Sequence, residues 1–109
     1  MITHHPGEVI LANLPFIDGS GIKLRPLLVL IDTGDSDVIV APITSKSAQA
    51  RFEVGLQDWR LLGLIHPLVV RVHKVTTVSK GEVIRTLGTL SPRDWAQVQA
   101  RVRQLWAGI

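Results

Sequence analysis

The sequence contains no cysteine, so disulfide bonds and thiolate metal sites are excluded. All of its apolar runs are shorter than the about 20 residues that a membrane-spanning helix needs. The N-terminal segment MITHHPGEVI has no basic stretch followed by an apolar one, which a secretory signal would require. We therefore expect a soluble protein located in the cytoplasm.

Several motifs of catalytic and binding sites are also missing. No spacing of histidines and carboxylates resembles a metal site such as H-E-x-x-H, so neither a metal nor another cofactor is expected. A glycine-rich phosphate loop and the G-x-S-x-G turn of serine hydrolases are both absent. With 109 residues, 46% of them hydrophobic, and without repeats or linkers, the chain predicts one domain over residues 1–109.

Charge is unevenly distributed along the chain. Residues 1–58 hold four basic and seven acidic residues, whereas residues 59–109 hold eight basic and two acidic residues. Much of the acid in the first half falls in one short run, DTGDSD, so the rest of the molecule is basic. Such a surface favours a polyanion such as nucleic acid, or an acidic protein partner. An ordinary solvated surface is the alternative.

Apolar segments in the first half predict strands. EVILANL is rich in branched residues, and RPLLVLI is apolar on both faces, which is typical of a central strand. The turn DTGDSD would join RPLLVLI to VIVAPIT in a hairpin. Pro42 predicts an edge, a bulge or the end of pairing. Asp18, Gly19 and Gly21 mark a loop before the hairpin.

Shorter strands are predicted in the second half. RFEV and EVIRTLG are strand-like, and LVVRVHKVTTVS has strong β propensity along its whole length. GLQDWRLLGLIHP is interpreted as a short helical turn that Gly63 and Pro67 end. Lys80 and Gly81 mark a turn before the last strand.

The segment SPRDWAQVQARVRQLWAG predicts a C-terminal helix. Ser91 suits the N-cap, Pro92 the first helical position and Asp94 the first turn, and Gly108 can end the helix. Its apolar residues recur at helical spacing on one face: Trp95, Val98, Val102, Leu105 and Trp106. The expected fold class is mostly β (α+β), a small antiparallel sheet or barrel closed by a C-terminal α-helix.

Candidate functional side chains lie at two predicted strand ends. Pro26 restricts the backbone of Arg25, which holds the guanidinium at a rim where it can bind phosphate bidentately. Thr44, Ser45 and Lys46 supply two hydroxyls and a cation where the next strand ends. The alternatives are a surface arginine that binds nearby carbonyls and a common Thr-Ser turn.

A third candidate is the segment VVRVHK. Because side chains alternate along a strand, Arg71 and His73 would share one face about 7 Å apart. A histidine beside a permanent cation is a candidate acid–base and charge-stabilising pair, and an exposed polar pair is the alternative. The remaining histidines are weaker candidates: His4 and His5 are expected to be mobile near a terminus, and His66 lies in a loop.

Taken together, these segments resemble the PemK/MazF-like toxins of bacterial toxin–antitoxin systems. GEVILANLPFIDGSGIKLRPLLVLI resembles that family's opening strand, loop and Arg-Pro strand, and DVIVAPITSK resembles its second signature. DWRLLGLIHPLVVRVHKVTTVSKGEVIRTLGTLSPRDW follows the family's third block in the order of its elements. The resemblance runs from Gly7 to about Trp106.

This resemblance implies an SH3-like barrel of the CcdB/PemK/MazF type with an added C-terminal helix, usually as a homodimer. It also implies the toxin of a type II toxin–antitoxin system, an mRNA interferase that cuts single-stranded RNA at short sequences without a metal. In that reaction the 2′-hydroxyl attacks the adjacent phosphorus. The protein partner would be a small acidic antitoxin that covers the RNA groove.

The same resemblance implies roles for individual residues. Arg25 and Thr44 match the family's phosphate-handling arginine and threonine, and Arg71 matches a catalytic arginine of the PemK branch. His73 stands where that branch carries an aspartate, and a histidine acting as base changes the charge and the pH optimum. Leu68 stands where a serine is common. RNA contacts are expected from five further side chains: Lys23, Ser45, Lys46, Arg51 and Lys74.

Two other functions stay open. The barrel could bind RNA or a protein target without catalysis, as a degenerate family member or as a toxin that poisons gyrase through its last helix. The helix end RQLWAGI is a weak match to a gyrase poison. A plain SH3-like interaction module would share the fold.

Overall fold

Strand β2 (Ile22–Ile31) lies in the middle of an antiparallel sheet, between β1 (Glu8–Pro15) and β3 (Asp37–Thr44). This structure is a computed structural model that describes residues 3–15, 21–48 and 50–109. The predicted loop positions Asp18 and Gly19 lie outside these ranges. The three strands confirm the predicted opening strand and the predicted hairpin of two central strands.

The second half of the chain adds four shorter strands and the helix: β4 (Glu53–Gly55), β5 (Val69–Arg71), β6 (Thr76–Ser79), β7 (Val83–Thr89) and α1 (Pro92–Ala107). Within the described residues the strand order is β4-β5-β3-β2-β1-β7, and β6 also pairs with β3. Every pairing is antiparallel. The predicted class, mostly β with one C-terminal helix, is confirmed.

Two hydrophobic clusters lie on opposite faces of the central strands. Leu28 points into a cluster with Val9 and Val98. Leu27 and Val29 point the other way, into a second cluster that contains Ile10, Val38, Val40 and Val78. All three β2 side chains are at most 1% exposed, which explains why this strand is apolar at consecutive positions rather than at alternate ones.

The β2–β3 hairpin turns through the acidic run, residues 32–37. Gly34 has φ of 94°, a left-handed conformation that suits glycine. The carboxylate of Asp32 accepts a hydrogen bond from the Gly34 amide at 2.8 Å, and that of Asp35 accepts one from Asp37 at 2.9 Å. At the far end, Pro42 opposite Leu27 is the last pair of the β2–β3 ladder. Of the three alternatives predicted for this proline, the structure shows the end of pairing with β2, while β3 continues to pair with β5.

The helix begins as the sequence predicts. The Ser91 side chain accepts a hydrogen bond from the Asp94 amide, and Pro92 occupies the first helical position. Val98 is fully buried, but Trp106 is 63% exposed. In the last turn, the apolar face of α1 turns away from the sheet. Only the half-buried Leu105 of that turn still packs against the core. No helix in the described part of the chain is long and apolar enough to cross a membrane.

The segment predicted to be β along its whole length is broken by a 3₁₀ turn, Val72–Lys74. The Val72 amide donates to the carbonyl of Phe52 at 3.0 Å, and its side chain is fully buried. The break lets one edge of β3 pair with two strands, with β5 at Ile43 and Thr44 and with β6 at positions 37–40. The predicted common strand face for Arg71 and His73 is therefore wrong.

The N-terminal segment is fixed rather than mobile at His4. Its backbone amide donates to Asp32 at 2.9 Å, and the residue is 7% exposed. The His4 amide first, and then the Lys80 ammonium 2.9 Å away, hold the pKa of Asp32 well below its ordinary range. Gly7 also ties the layers together, because its amide donates to Val29 and its carbonyl accepts from Leu90, each at 2.9 Å.

Candidate active site at the strand ends

A cavity of about 380 Å³ opens at the end of β2 and β3 that lies away from the hairpin turn. We name it the strand-end cavity. Its polar lining consists of Lys23, Arg25, Thr44, Ser45, Lys46 and His66. Apolar side chains complete the wall: Leu24, Pro26, Ile43, Leu64, Ile65 and Leu68. None of the described residues that line it is acidic, so the cavity presents cations and hydroxyls to whatever enters it.

Strand register brings the two principal polar residues together. The β2–β3 ladder ends at Leu27 opposite Pro42. Arg25 and Thr44 each lie two residues beyond that last pair, on β2 and β3, and both line the cavity. On its other edge Thr44 pairs with Val69 of β5. An arginine and a threonine 19 positions apart in sequence thus line one cavity.

A second cavity adjoins the first along the loop after β3. Its volume is about 290 Å³, and it is lined by Ser45, Lys46, Ser47, His66, Pro67 and Val69. Lys46 and His66 line both cavities. From the sequence, His66 is only a weak candidate, whereas the fold places it beside the predicted phosphate-binding side chains.

The loop that carries His66 is fixed at both ends. Gly63, with φ of 72°, ends a 3₁₀ helix over Trp59–Leu62, which confirms the predicted helical turn. Beyond His66, the buried Leu68 accepts a hydrogen bond at its carbonyl from the Leu56 amide at 2.9 Å. The side chain at position 66 therefore has a defined place at the cavity although it lies outside any strand or helix.

Carboxylates at the start of α1 hold the beginning of this loop. The buried Asp94 accepts hydrogen bonds from the backbone amides of Gln57 and Asp58, at 2.9 and 2.8 Å. Asp58 in turn accepts from Arg93 Nε and Nη2 at 2.7 and 2.6 Å, and from the Ser91 hydroxyl at 2.5 Å. The Arg93 bonds first and then the Ser91 bond lower the pKa of Asp58 to about 2.

Arg71 lies on β5, two residues beyond the Val69 that pairs with Thr44. It is absent from the lining of the strand-end cavity. Glu53 lies opposite it on β4, and Arg71 Nε is 3.3 Å from Glu53 Oε2 without hydrogen-bond geometry. The contact is therefore an electrostatic pair, in which the Glu53 side chain is 9% exposed and that of Arg71 is 39% exposed.

Three further predicted residues lie outside the strand-end cavity. His73 and Lys74 belong to the 3₁₀ turn after β5 and are exposed. Arg51 is also exposed, with its guanidinium carbon 5.0 Å from the centre of the Phe52 ring. In contrast, Lys23, Ser45 and Lys46, which were predicted to contact RNA, line the cavity together with Arg25 and Thr44.

In its described ranges, the chain has no group of three histidine, aspartate or glutamate side chains placed to hold a metal ion. The strand-end cavity instead offers one guanidinium, two ammonium groups, two hydroxyls and an imidazole. Guanidinium and ammonium groups bind phosphate oxygens, and an imidazole can accept or donate a proton near neutral pH. The site is thus equipped for phosphodiester chemistry.

A sequence model of the PemK-like, MazF-like toxins of type II toxin–antitoxin systems matches residues 5–106. The chain belongs to this family. The match covers the strand-end cavity and all of the candidate residues. Among curated proteins, no sequence matches the chain.

Solved structures of this family share the fold. A mycobacterial endoribonuclease in complex with its cognate antitoxin superposes with a TM-score of 0.76 at 16% identity, covering 96% of each chain. The Mycobacterium tuberculosis toxin MazF-mt6 gives 0.74 at 24% identity, covering 92% of this chain and 96% of that one. A MazE-MazF structure from Deinococcus radiodurans gives 0.77 at 20% identity, covering 97% and 98%. The predicted PemK/MazF fold is confirmed.

Proposed function

We propose that this toxin-family protein is an endoribonuclease that cuts single-stranded RNA without a metal ion. The observation that carries the proposal is the strand-end cavity, where Arg25 and Thr44 meet two lysines with no acidic side chain among the described lining residues. Such a lining attracts a phosphodiester and leaves room for hydroxyl donors around it. Relatives with this fold include a mycobacterial endoribonuclease.

In the proposed reaction the 2′-hydroxyl attacks the adjacent phosphorus and the bond to the 5′ oxygen breaks. The products are a 2′,3′-cyclic phosphate and a 5′-hydroxyl. Arg25 and Lys46 bind the nonbridging oxygens, and Thr44 donates a hydrogen bond to the charge that develops on the phosphorane. Arg71, next along the sheet, binds the same phosphate or the neighbouring one. His73 lies outside the cavity lining and is given no role.

The protein partners follow from the same proposal. We infer that a small acidic antitoxin covers the basic cavity, since related toxins have been solved in complex with their antitoxins. Two copies of the chain are expected to associate as a homodimer. RNA contacts from Lys23 and Ser45 lie within the cavity, whereas contacts from Arg51 and Lys74 would require RNA to extend beyond it.

Cleavage of single-stranded RNA in EDTA tests this function. Purified protein is incubated with a mixed-sequence RNA, and the fragment ends are sequenced and their termini identified. Wild type should give cyclic phosphate and 5′-hydroxyl ends, and Arg25→Ala should abolish cleavage because it removes the bidentate phosphate ligand. Arg103→Ala, an exposed arginine of α1, is the matched control and should cleave normally.

The alternative is a barrel that binds RNA without cutting it. Wild-type protein that binds RNA but leaves every tested sequence intact would establish that alternative and refute the nuclease proposal. Cleavage that EDTA abolishes would refute the metal-independent mechanism only.

A further inference from the structure

The proposed reaction needs a group that accepts the proton of the 2′-hydroxyl, and most of the cavity cannot supply one. At neutral pH, arginine and lysine side chains are charged and can only donate hydrogen bonds, not accept them. Hydroxyls such as those of Thr44 and Ser45 are very weak bases. Among the described residues that line the strand-end cavity, only His66 carries a side chain that takes up a proton near neutral pH.

We propose that His66 is the general base of the reaction. The proposal rests on the proposed nuclease function and names the residue that starts its chemistry. One imidazole nitrogen takes the proton from the 2′-hydroxyl while the 2′ oxygen forms its bond to phosphorus. The 5′ oxygen leaves with the bonding electron pair and takes a proton from water. The imidazolium then returns its proton to solvent, so the cycle releases no net proton.

The position of His66 supports this role. It lines both the strand-end cavity and the adjoining cavity, so a chain of nucleotides that occupies both passes the imidazole. Pro67 restricts the residue before it to extended backbone, and the Leu68 carbonyl is anchored by Leu56. The backbone that carries the imidazole is therefore restricted on both sides of the residue that lines the two cavities.

The charged groups that line the two cavities together with His66 come from β2 and from the loop after β3. Lys23 and Arg25 face it from β2, and Lys46 faces it from the loop after β3. Its own loop contributes only apolar residues to the lining, namely Leu64, Ile65 and Leu68. Two other candidate bases lie elsewhere: His73 is exposed in the 3₁₀ turn, and Glu53 is paired with Arg71.

Single-turnover cleavage at saturating protein, in EDTA and between pH 5 and 8, tests the proposal. The substrate is an RNA that wild type cuts. His66→Gln should lower the rate by about 100-fold, because glutamine can donate a hydrogen bond but cannot take the proton. RNA affinity should change little. The wild-type rate should rise with pH as the imidazole becomes neutral, and the His66→Gln rate should lose that rise.

Two further variants separate proton transfer from a structural role. Added imidazole should restore part of the cleavage by His66→Ala, since the cavity is open to solvent, and a merely structural defect would not respond to it. His73→Gln is the matched control and should keep the wild-type rate and pH profile. Thermal unfolding checks that each variant is folded.

The outcomes distinguish this proposal from the nuclease function itself. If His66→Gln keeps the wild-type rate or the wild-type pH profile, His66 is not the base, and the nuclease function still stands. The same conclusion follows if His73→Gln, rather than His66→Gln, loses the cleavage rate. A loss of rate on the alkaline side rather than the acid side would also overturn the assignment as base. Wild-type protein that cleaves no RNA refutes both.

Discussion

Arg71 contacts its partner carboxylate through Nε, the inner nitrogen of the guanidinium. Glu53 lies directly opposite on β4, 3.3 Å away and only 9% exposed. The contact thus involves the guanidinium nitrogen nearest the chain. A lysine has a single nitrogen where arginine has three, so Glu53 and a phosphate would compete for one ammonium group.

We therefore expect Arg71→Lys to be nearly as damaging as the loss of the side chain. The single-turnover rate on RNA should fall by about 100-fold, the size typical of losing one donor to a developing oxyanion. Arg103→Lys, which changes an exposed arginine of α1, should cut RNA at close to the wild-type rate. If Arg71→Lys cuts RNA at the wild-type rate, Arg71 has no role in the reaction.

The residues of the site differ in how far the sequence reveals them. Arg25 and Thr44 could be predicted because each follows or precedes a long apolar run, and neighbouring antiparallel strands bring such ends together. His66 could not, because its place depends on Leu56, Asp94 and other partners remote in sequence that fix its loop. A histidine in a loop between a glycine and a proline carries no periodic signal.

At the scale of elements, the first turn of α1 acts as an anchor for the loop before the site. Asp94 binds the amides of residues 57 and 58, and Asp58 binds Ser91 and Arg93. Part of this anchor depends on pH, because the pKa of Asp58 is lowered to about 2. A carboxylate with a lowered pKa stabilises the fold at pH values above its unfolded pKa, and the stabilisation is lost as the pH falls through the folded value.

Urea unfolding of wild type and Arg93→Gln between pH 6 and pH 2 tests this anchor. Arg93→Gln removes the largest cause of the lowered pKa of Asp58. The wild type should be more stable above about pH 4, and its advantage should shrink towards pH 2 as Asp58 becomes protonated. A difference in free energy of unfolding that is constant over the whole range would show that the pair adds no pH-dependent stability.

Elements were predicted well where periodicity is strong and poorly where pairing decides the conformation. The central hairpin and the helix follow from apolar spacing and capping residues. The 3₁₀ turn Val72–Lys74 does not, because the valines and threonines around it favour a strand locally. It forms because the buried Val72 binds Phe52 of the β4 segment while β6 pairs with a different part of β3.

At the scale of the whole molecule, charge is the property that bears on function. The net charge is +3, and three cations line the strand-end cavity: Lys23, Arg25 and Lys46. Binding of single-stranded RNA there would release the counterions condensed on the contacted phosphates. The affinity should therefore depend on salt more strongly than a net charge of this size suggests.

We expect three phosphate contacts in the cavity to give a slope of log affinity against log salt of about −2. Lys46→Ala should weaken binding and make that slope shallower by about 0.7, since one contact is lost. Arg103→Ala, on the exposed side of α1, serves as the control and should leave the slope unchanged. Fluorescence anisotropy with a short labelled RNA measures both quantities. A slope that is unaffected by Lys46→Ala would mean that RNA binds elsewhere.

The β2–β3 hairpin separates two regions of opposite sign. Its acidic turn, with Asp35 and Asp37 exposed, lies at one end, and Arg25 lies at the other, about 20 Å away along β2 at the usual rise of a strand. This length is two thirds of a molecule that measures 30 × 29 × 28 Å. The hairpin thus carries opposite charges at its two ends, which would favour approach of a polyanion from the side of the cavity. The protein would then be oriented before it contacts the RNA, and a larger share of encounters would bring the RNA to the strand-end cavity.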